Sequence, residues 1–213
     1  MSLVGKPVSS PVICQWVKLF EEVKPVNPLL LDIPAQFETE RLTIRAPRVG
    51  DEVAFNRAVS ESIEELRVWL PWGQQAPSLD ESKAEIARYI TEWTVRSDLR
   101  WLHFDREGEL VGGSGLHRID WQVPRFEIGY WQRISYCGRG LVTEAVRGLT
   151  AFVFEELKAQ RAEIRCAVGN TQSAAVARRA GYEVEATLRN WMRRPDGLLC
   201  DTLVFVRLPD VSR

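Results

Sequence analysis

Histidine and cysteine are scarce in this 213-residue chain, which has only His103 and His117 and four thiols, Cys14, Cys137, Cys166 and Cys200. No two cysteines form a CxxC pair and the imidazoles lie apart from them, so no metal site is expected. Free, mostly buried thiols are the expectation instead, and they suit a reducing, cytoplasmic setting. No apolar run approaches the roughly 20 residues that cross a bilayer. The opening residues also lack the charged-then-apolar pattern of a secretory signal. An excess of charge of one sign is missing too: 28 basic and 29 acidic side chains leave a net charge of −1. No global field therefore draws the chain onto nucleic acid or anionic lipid. Lysine is rare, with 5 against 23 arginines.

What remains is a composition of 45% apolar and 27% charged residues, ordinary for one globular domain of this length. Five prolines, at 7, 11, 25, 28 and 34, set residues 1–35 apart as an extension. Only residues 13–20 of it could hold a short amphipathic helix, packed on the main domain or on a partner. That leaves a homodimer open. Residues 36–210 are expected to form the domain proper.

From Glu40 onward, strand and helix signals alternate. Arg41-Leu42-Thr43-Ile44-Arg45 alternates polar and apolar residues, as a half-buried strand does. A helix is expected from Asp51 towards Leu66, closed by Trp69-Leu70-Pro71-Trp72. Ser78 and Glu81 have capping-box spacing ahead of the stripe Ile86, Tyr89, Ile90 and Trp93. Strands are expected at 101–105, 110–119 and 126–132, the first two joined by a turn at 105–108. A helix carrying Ala145, Val146, Leu149, Phe152 and Val153 follows. Then come a strand at 163–168, a helix at 173–180, and strands at 182–187 and 199–208. The sum is one α/β domain with a mixed sheet of about seven strands and about four helices.

Two stretches carry chemistry. The first is Glu127-Ile128-Gly129-Tyr130-Trp131-Gln132-Arg133, then Tyr136-Cys137-Gly138-Arg139-Gly140-Leu141-Val142-Thr143-Glu144-Ala145. A strand feeds a diglycine loop that opens directly into a helix. Such a helix start points unpaired N–H groups outward and attracts phosphate. Neither a P-loop nor a complete dinucleotide fingerprint is present. The second runs from Gly169-Asn170-Thr171-Gln172-Ser173 through Val176 to Gly181-Tyr182. Asn170 is a helix cap there, Ser173 sits in the first turn, and Gly181 is a stop.

In this order and spacing, these stretches and the opening Glu40–Arg45 segment resemble the GNAT family of acetyl-coenzyme A-dependent N-acetyltransferases. The likeness covers about residues 37–208 and is nearest the ribosomal-protein N-terminal acetyltransferase branch. It implies a twisted, mostly antiparallel sheet whose central parallel pair, 126–132 and 163–168, splays apart. In the gap the pantetheine arm of acetyl-CoA would pair with main chain of Ile128, Gly129 and Tyr130. Gly129 would there form a bulge or allow a close approach. The pyrophosphate would rest on Gly138, Arg139, Gly140, Leu141, Val142 and Thr143. Cys137 and Val142 depart from the family's usual loop residues.

The resemblance also implies roles in catalysis. Glu127 is the expected general base, acting through water, and a backbone N–H near Ile128–Tyr130 would hold the oxyanion. The tyrosine many relatives place seven residues after the motif asparagine is Ala177 here. Ser173 would instead donate to the leaving thiolate, with Asn170 orienting the pantetheine arm. Trp69, Trp72 and Trp191 are the expected walls of the acceptor groove. The expected acceptor is a protein N-terminal α-amine; alternatives are a small amine such as a polyamine, amino acid or aminoglycoside, or a non-catalytic acyl-CoA-binding role.

Overall fold

A computed structural model of the chain describes residues 26–210, so the expected helix at 13–20 lies outside the described residues. Eight strands form one sheet in the order β1-β2-β3-β4-β5-β6-β8-β7. They are β1 (Gln36–Glu38), β2 (Thr43–Arg45), β3 (Leu99–Phe104), β4 (Leu110–Asp120), β5 (Arg125–Gln132), β6 (Arg161–Ala167), β7 (Glu183–Arg193) and β8 (Leu199–Arg207). Among the described residues five α-helices flank it: α1 (Glu52–Glu61), α2 (Ile63–Trp69), α3 (Leu79–Val95), α4 (Leu141–Glu155) and α5 (Thr171–Arg179). Every neighbouring pair is antiparallel except β5 and β6. The extra strand relative to expectation is β1, three residues long, whose alternation is too short to register in sequence.

Period-two alternation splits the core into two layers. Leu116, Phe126, Ile128 and Trp101 point to one face of the sheet, where α4 and α5 bring Val146, Leu149 and Val176. Leu102 and Leu110 point to the other, against Phe55, Leu66, Ile86 and Tyr89 of α1, α2 and α3. Both faces are thus covered around the central strands, which is why β4 is buried from Leu110 to Leu116.

The single helix expected from Asp51 to Leu66 is two helices, broken at the fully buried Ser62. The Ser62 hydroxyl donates to the Ala58 carbonyl (2.7 Å) and accepts from the Ile134 N–H (2.9 Å). Serine competes for backbone partners, and this one couples the helix break to the loop leaving β5. The α3 capping box, by contrast, is as the sequence spells it, with Ser78 and Glu81 bonded reciprocally.

Glu144 ties the opening strands to α4. Its carboxylate accepts from Thr39 Oγ1 (2.6 Å), the Arg41 N–H (2.8 Å) and Arg41 Nε (2.6 Å). Burial alone would raise its pKa, but the hydrogen bonds from Thr39 and Arg41 hold it below the usual carboxylate range. Stability from a depressed carboxyl is present above its unfolded pKa and fades as pH falls through the folded one. Glu144→Gln is expected to cost about 1–2 kcal/mol at pH 7, discounted for the exposed Arg41. Urea unfolding at pH 7 and pH 3 checks this: the gap to wild type should close at the acid end.

Candidate active site

Parallel pairing of β5 with β6 stops almost as soon as it starts. The register runs Arg125↔Arg161, Phe126↔Ala162 and Glu127↔Glu163, and then ends. Residues 128–132 of β5 stay paired with β4, and residues 164–167 of β6 with β8. The two strands therefore diverge, leaving main-chain edges that face a wedge. A ladder edge without a partner strand is a template for an extended ligand.

At the open end of the wedge lies the diglycine loop. Gly138 and Gly140 have φ of +77° and +78°, a left-handed backbone that favours glycine. Among the described residues, the amides of Gly138, Arg139, Gly140, Leu141, Val142 and Thr143 have no hydrogen-bond partner; the first helical bond of α4 is Glu144 N–H to the Gly140 carbonyl. The loop is held from both sides. Arg133 bonds Glu61 (2.7 Å), Ser135 N–H donates to Glu61 (3.2 Å), and Arg41 donates to the Arg139 carbonyl (2.9 Å). The result is a fixed, positively polarised concavity. Thr143 adds a second sign of fit, because its Oγ1 is buried with no partner. An anionic diphosphate would satisfy both. Val142 packs against the core under the sheet, so its bulk is directed away from the cradle, while Cys137 is exposed at the loop's head.

On the face of α4 and α5, Asn170 caps α5 by accepting from the Ser173 N–H (3.0 Å). Tyr130 reaches across the wedge from β5. Its hydroxyl donates to the Ser173 carbonyl (2.9 Å) and lies 2.9 Å from Ser173 Oγ. Burial pushes the phenol well above its usual range, despite the hydrogen bond with Ser173, so it stays protonated. Ser173 and Tyr130 therefore form one hydroxyl pair where the sequence offered a lone serine. Cys166, buried next to them, has its thiol pushed up by burial.

The opposite face differs from expectation in detail. Gly129 makes no bulge: its pair Gly115↔Gly129 is in register, and the irregularity lies between His117 and Asp120, with Arg118 at φ +46°. Glycine is needed at 129 for close approach, because a Cβ would stand 2.8 Å from His117 Nε2. Glu127 sits at the base of the wedge, in the last β5–β6 pair. Its Oε2 is shared by the Arg118 and Arg165 guanidinium groups, the latter at 3.3 Å. The tryptophans scatter over this face. Trp69 ends α2 beside Gly169, 3.5 Å from where a Cβ would stand, with Arg194 above it at 6.0 Å. Trp72 packs edge-on to Trp131 at 6.4 Å, and Trp191 on β7 lies under Arg165 at 5.8 Å. Trp131, which covers Gly113, was not singled out by the sequence, and neither were His117, Asp98 and Arg165. Their partners come from distant strands, and only the Gly113, Gly115, His117 alternation hinted at a shared face.

Among the described residues no group of His, Cys, Asp and Glu could hold a metal ion, and no helix is long and apolar enough to cross a membrane. The chain matches the family described as an acetyltransferase (GNAT) domain over residues 41–183. It is 32% identical over 154 residues, 71% of this chain and 82% of the relative, to YdaF of Bacillus subtilis, provisionally named a ribosomal N-acetyltransferase. Against the ribosomal-protein-serine acetyltransferase of Escherichia coli it is 34% identical over 126 residues, 58% of this chain and 70% of that one. In fold it resembles RimL, a ribosomal L7/L12 α-N-protein acetyltransferase solved with coenzyme A: TM-score 0.75, 24% identity, 83% of this chain and 97% of that one. The wedge, the amide cradle and these likenesses agree, and the chain belongs to the GNAT acetyltransferases.

Proposed function

We propose that the protein moves an acetyl group from acetyl-CoA to the N-terminal α-amine of a polypeptide. The observation that carries the donor half is the wedge between β5 and β6 opening onto the unpartnered amides of 138–143. An extended arm ending in a pyrophosphate satisfies both at once. When bound, acetyl-CoA supplies an activated acetyl group and a thiolate that can leave.

The chain's own residues do the rest. The amides of Gly138, Arg139, Gly140, Leu141, Val142 and Thr143, with the orphaned Thr143 hydroxyl, hold the diphosphate. The free edge at Ile128, Gly129 and Tyr130 orders the arm and offers an N–H for the oxyanion. Asn170 fixes the first turn of α5 by its cap. The single Tyr130 phenolic proton can go to Ser173 Oγ, which frees the Ser173 hydroxyl proton to point at the sulfur. Glu127 orders Arg118 and Arg165 and places negative charge where an amine approaches. Trp69, Trp72 and Trp191 line that approach.

The acceptor half rests on chemistry and on kinship. An α-amine has a pKa of roughly 7.7–8, so a useful fraction is neutral near pH 7 without a strong base, unlike lysine at about 10.4. The Bacillus and Escherichia relatives carry names that specify ribosomal protein acetylation. A polycationic small amine would want several free carboxylates among Glu61, Glu64 and Glu65 at the early helices, but Glu61 is bonded to Arg133 and Glu64 to Arg67, which leaves Glu65 alone of the three without an ion pair among the described residues.

Mass spectrometry of the full chain incubated with acetyl-CoA and a panel of peptides and free amines tests the reading. Transfer to Ser- or Ala-initiated peptides alone is the expected result. Transfer only to polyamines, amino acids or aminoglycosides would replace the acceptor, and donor binding without any transfer would leave an acyl-CoA-binding role.

A further inference from the structure

On the face opposite Ser173, the geometry points to His117, oriented by Asp98, as the catalytic base that takes the proton from the acceptor amine. The inference rests on the acetyltransferase reading above and names a residue that reading does not use. Asp98 Oδ2 lies 2.7 Å from His117 Nδ1. A carboxylate can only accept, so Nδ1 carries the hydrogen and Nε2 of the neutral ring keeps its lone pair. Nε2 has no hydrogen-bond partner among the described residues, and the side chain is about one-third exposed.

The place of the ring matters as much as its tautomer. It lies flat on two glycines: a Cβ at Gly129 would stand 2.8 Å from Nε2, and one at Gly115 would stand 3.0 Å from Cε1. Gly129 is two residues beyond the last β5–β6 pair, Glu127↔Glu163, and so stands just above the base of the wedge, where the two strands part. The imidazole thus meets the stretch of main chain that faces the thioester. The irregularity that begins after His117, with Arg118 left-handed, turns β4 at this point, as bulges beside sites commonly do.

The charged groups around the ring come from five elements and the loop before β3. Asp98, in that loop, also accepts from Arg100 Nε of β3 (2.9 Å), and Glu92 of α3 lies 3.4 Å from the same nitrogen. Glu127 of β5 is paired in register with His117, and its Oε2 is held by Arg118 of β4 and Arg165 of β6. Asp98 is bonded directly to the ring, whereas Glu127 is turned to its guanidinium partners. In the step, the amine nitrogen bonds to the acetyl carbonyl carbon and its proton passes to His117 Nε2. The carbon–sulfur bond then breaks, the leaving thiolate accepts a hydrogen bond from the Ser173 hydroxyl and takes a proton from solvent, and the imidazolium returns its proton to solvent. The products are an amide and a free thiol.

Two histidines make the test direct. His103 is buried, Nε2 lies 2.8 Å from Ser114 Oγ, and burial pushes its pKa down to about 3. A nitrogen–proton correlation spectrum of the free enzyme should therefore resolve the two rings separately. One should be Nδ1-protonated and should change tautomer population in Asp98→Asn. His117→Ala is expected to lower kcat by about 100-fold or more, with the acetyl-CoA Kd within about 3-fold. Added imidazole should restore at least about 10-fold of that loss, while Glu127→Gln mainly raises the KM of the amine. A kcat for His117→Ala within about 3-fold of wild type overturns the assignment, as does a loss that imidazole does not rescue, or a kcat loss carried by Glu127→Gln instead. The wild-type protein in the same amine panel reports on the acetyltransferase reading separately, and a wild type that acetylates nothing removes both.

Discussion

Ser173→Ala is expected to lower kcat by about 100-fold while leaving the Kd for acetyl-CoA within about 3-fold. The asymmetry follows from where the hydroxyl acts. In the ground state the thioester sulfur carries little charge, so a hydrogen bond there adds little affinity. As the carbon–sulfur bond breaks, that sulfur becomes anionic, and one fixed donor in a partly desolvated site is worth most at that moment. The fold should survive, because the α5 cap uses the Ser173 N–H and the Tyr130 hydroxyl keeps the Ser173 carbonyl. Tyr130→Phe should lower kcat less, and the double variant should fall little below Ser173→Ala, since the pair acts as a unit. Single-turnover kinetics with calorimetric binding of acetyl-CoA separate the two quantities. Additive losses from the two single variants would mean that the hydroxyls work independently.

The second large effect concerns binding. Gly140→Val is expected to raise the Kd for acetyl-CoA by about 10- to 100-fold. A Cβ there would meet only Arg41 Nη2, the mobile end of a side chain, at 3.6 Å, so crowding at Cβ is not the cause. The cost is in the backbone: φ is +78° at the residue that opens α4, and a β-branched side chain there is strained by about 1–3 kcal/mol. The loop can relieve that strain only by turning its amides away from the cradle, and each 1.4 kcal/mol lost is about tenfold in Kd. Gly108→Val is the control. It imposes the same strain at φ +83° with open space around it, in the β3–β4 turn. It should lower the melting temperature without changing the Kd. Equal Kd values for the two variants would remove the cradle from diphosphate binding.

How much of this was written in the sequence depends on the range of the interaction. Caps, stops and turns are local, and they stand where the residues put them: Ser78 with Glu81 on α3, Asn170 on α5, left-handed Gly181 after α5, and the turn closed by Gly108. The strand-loop-helix around Gly138 and Gly140 was legible for the same reason, since glycine at those positions is a backbone requirement. The break at Ser62 was not legible, because its partner Ile134 is 72 residues away. The Tyr130–Ser173 pair was missed likewise. Each residue belonged to a recognisable motif, but the contact spans 43 residues and crosses the wedge.

The sequence by itself determined the family, the order of elements and the diglycine loop that opens α4, because these rest on short-range periodicity and on glycine's freedom at positive φ. Only the tertiary structure decided which side chains meet around the wedge. His117 reaches Asp98 and Gly129 through strand register, Glu127 meets Arg165 across the one parallel junction, and Tyr130 finds Ser173 where the strands part. Register is a collective outcome of packing both faces of the sheet, and no local window of residues contains it.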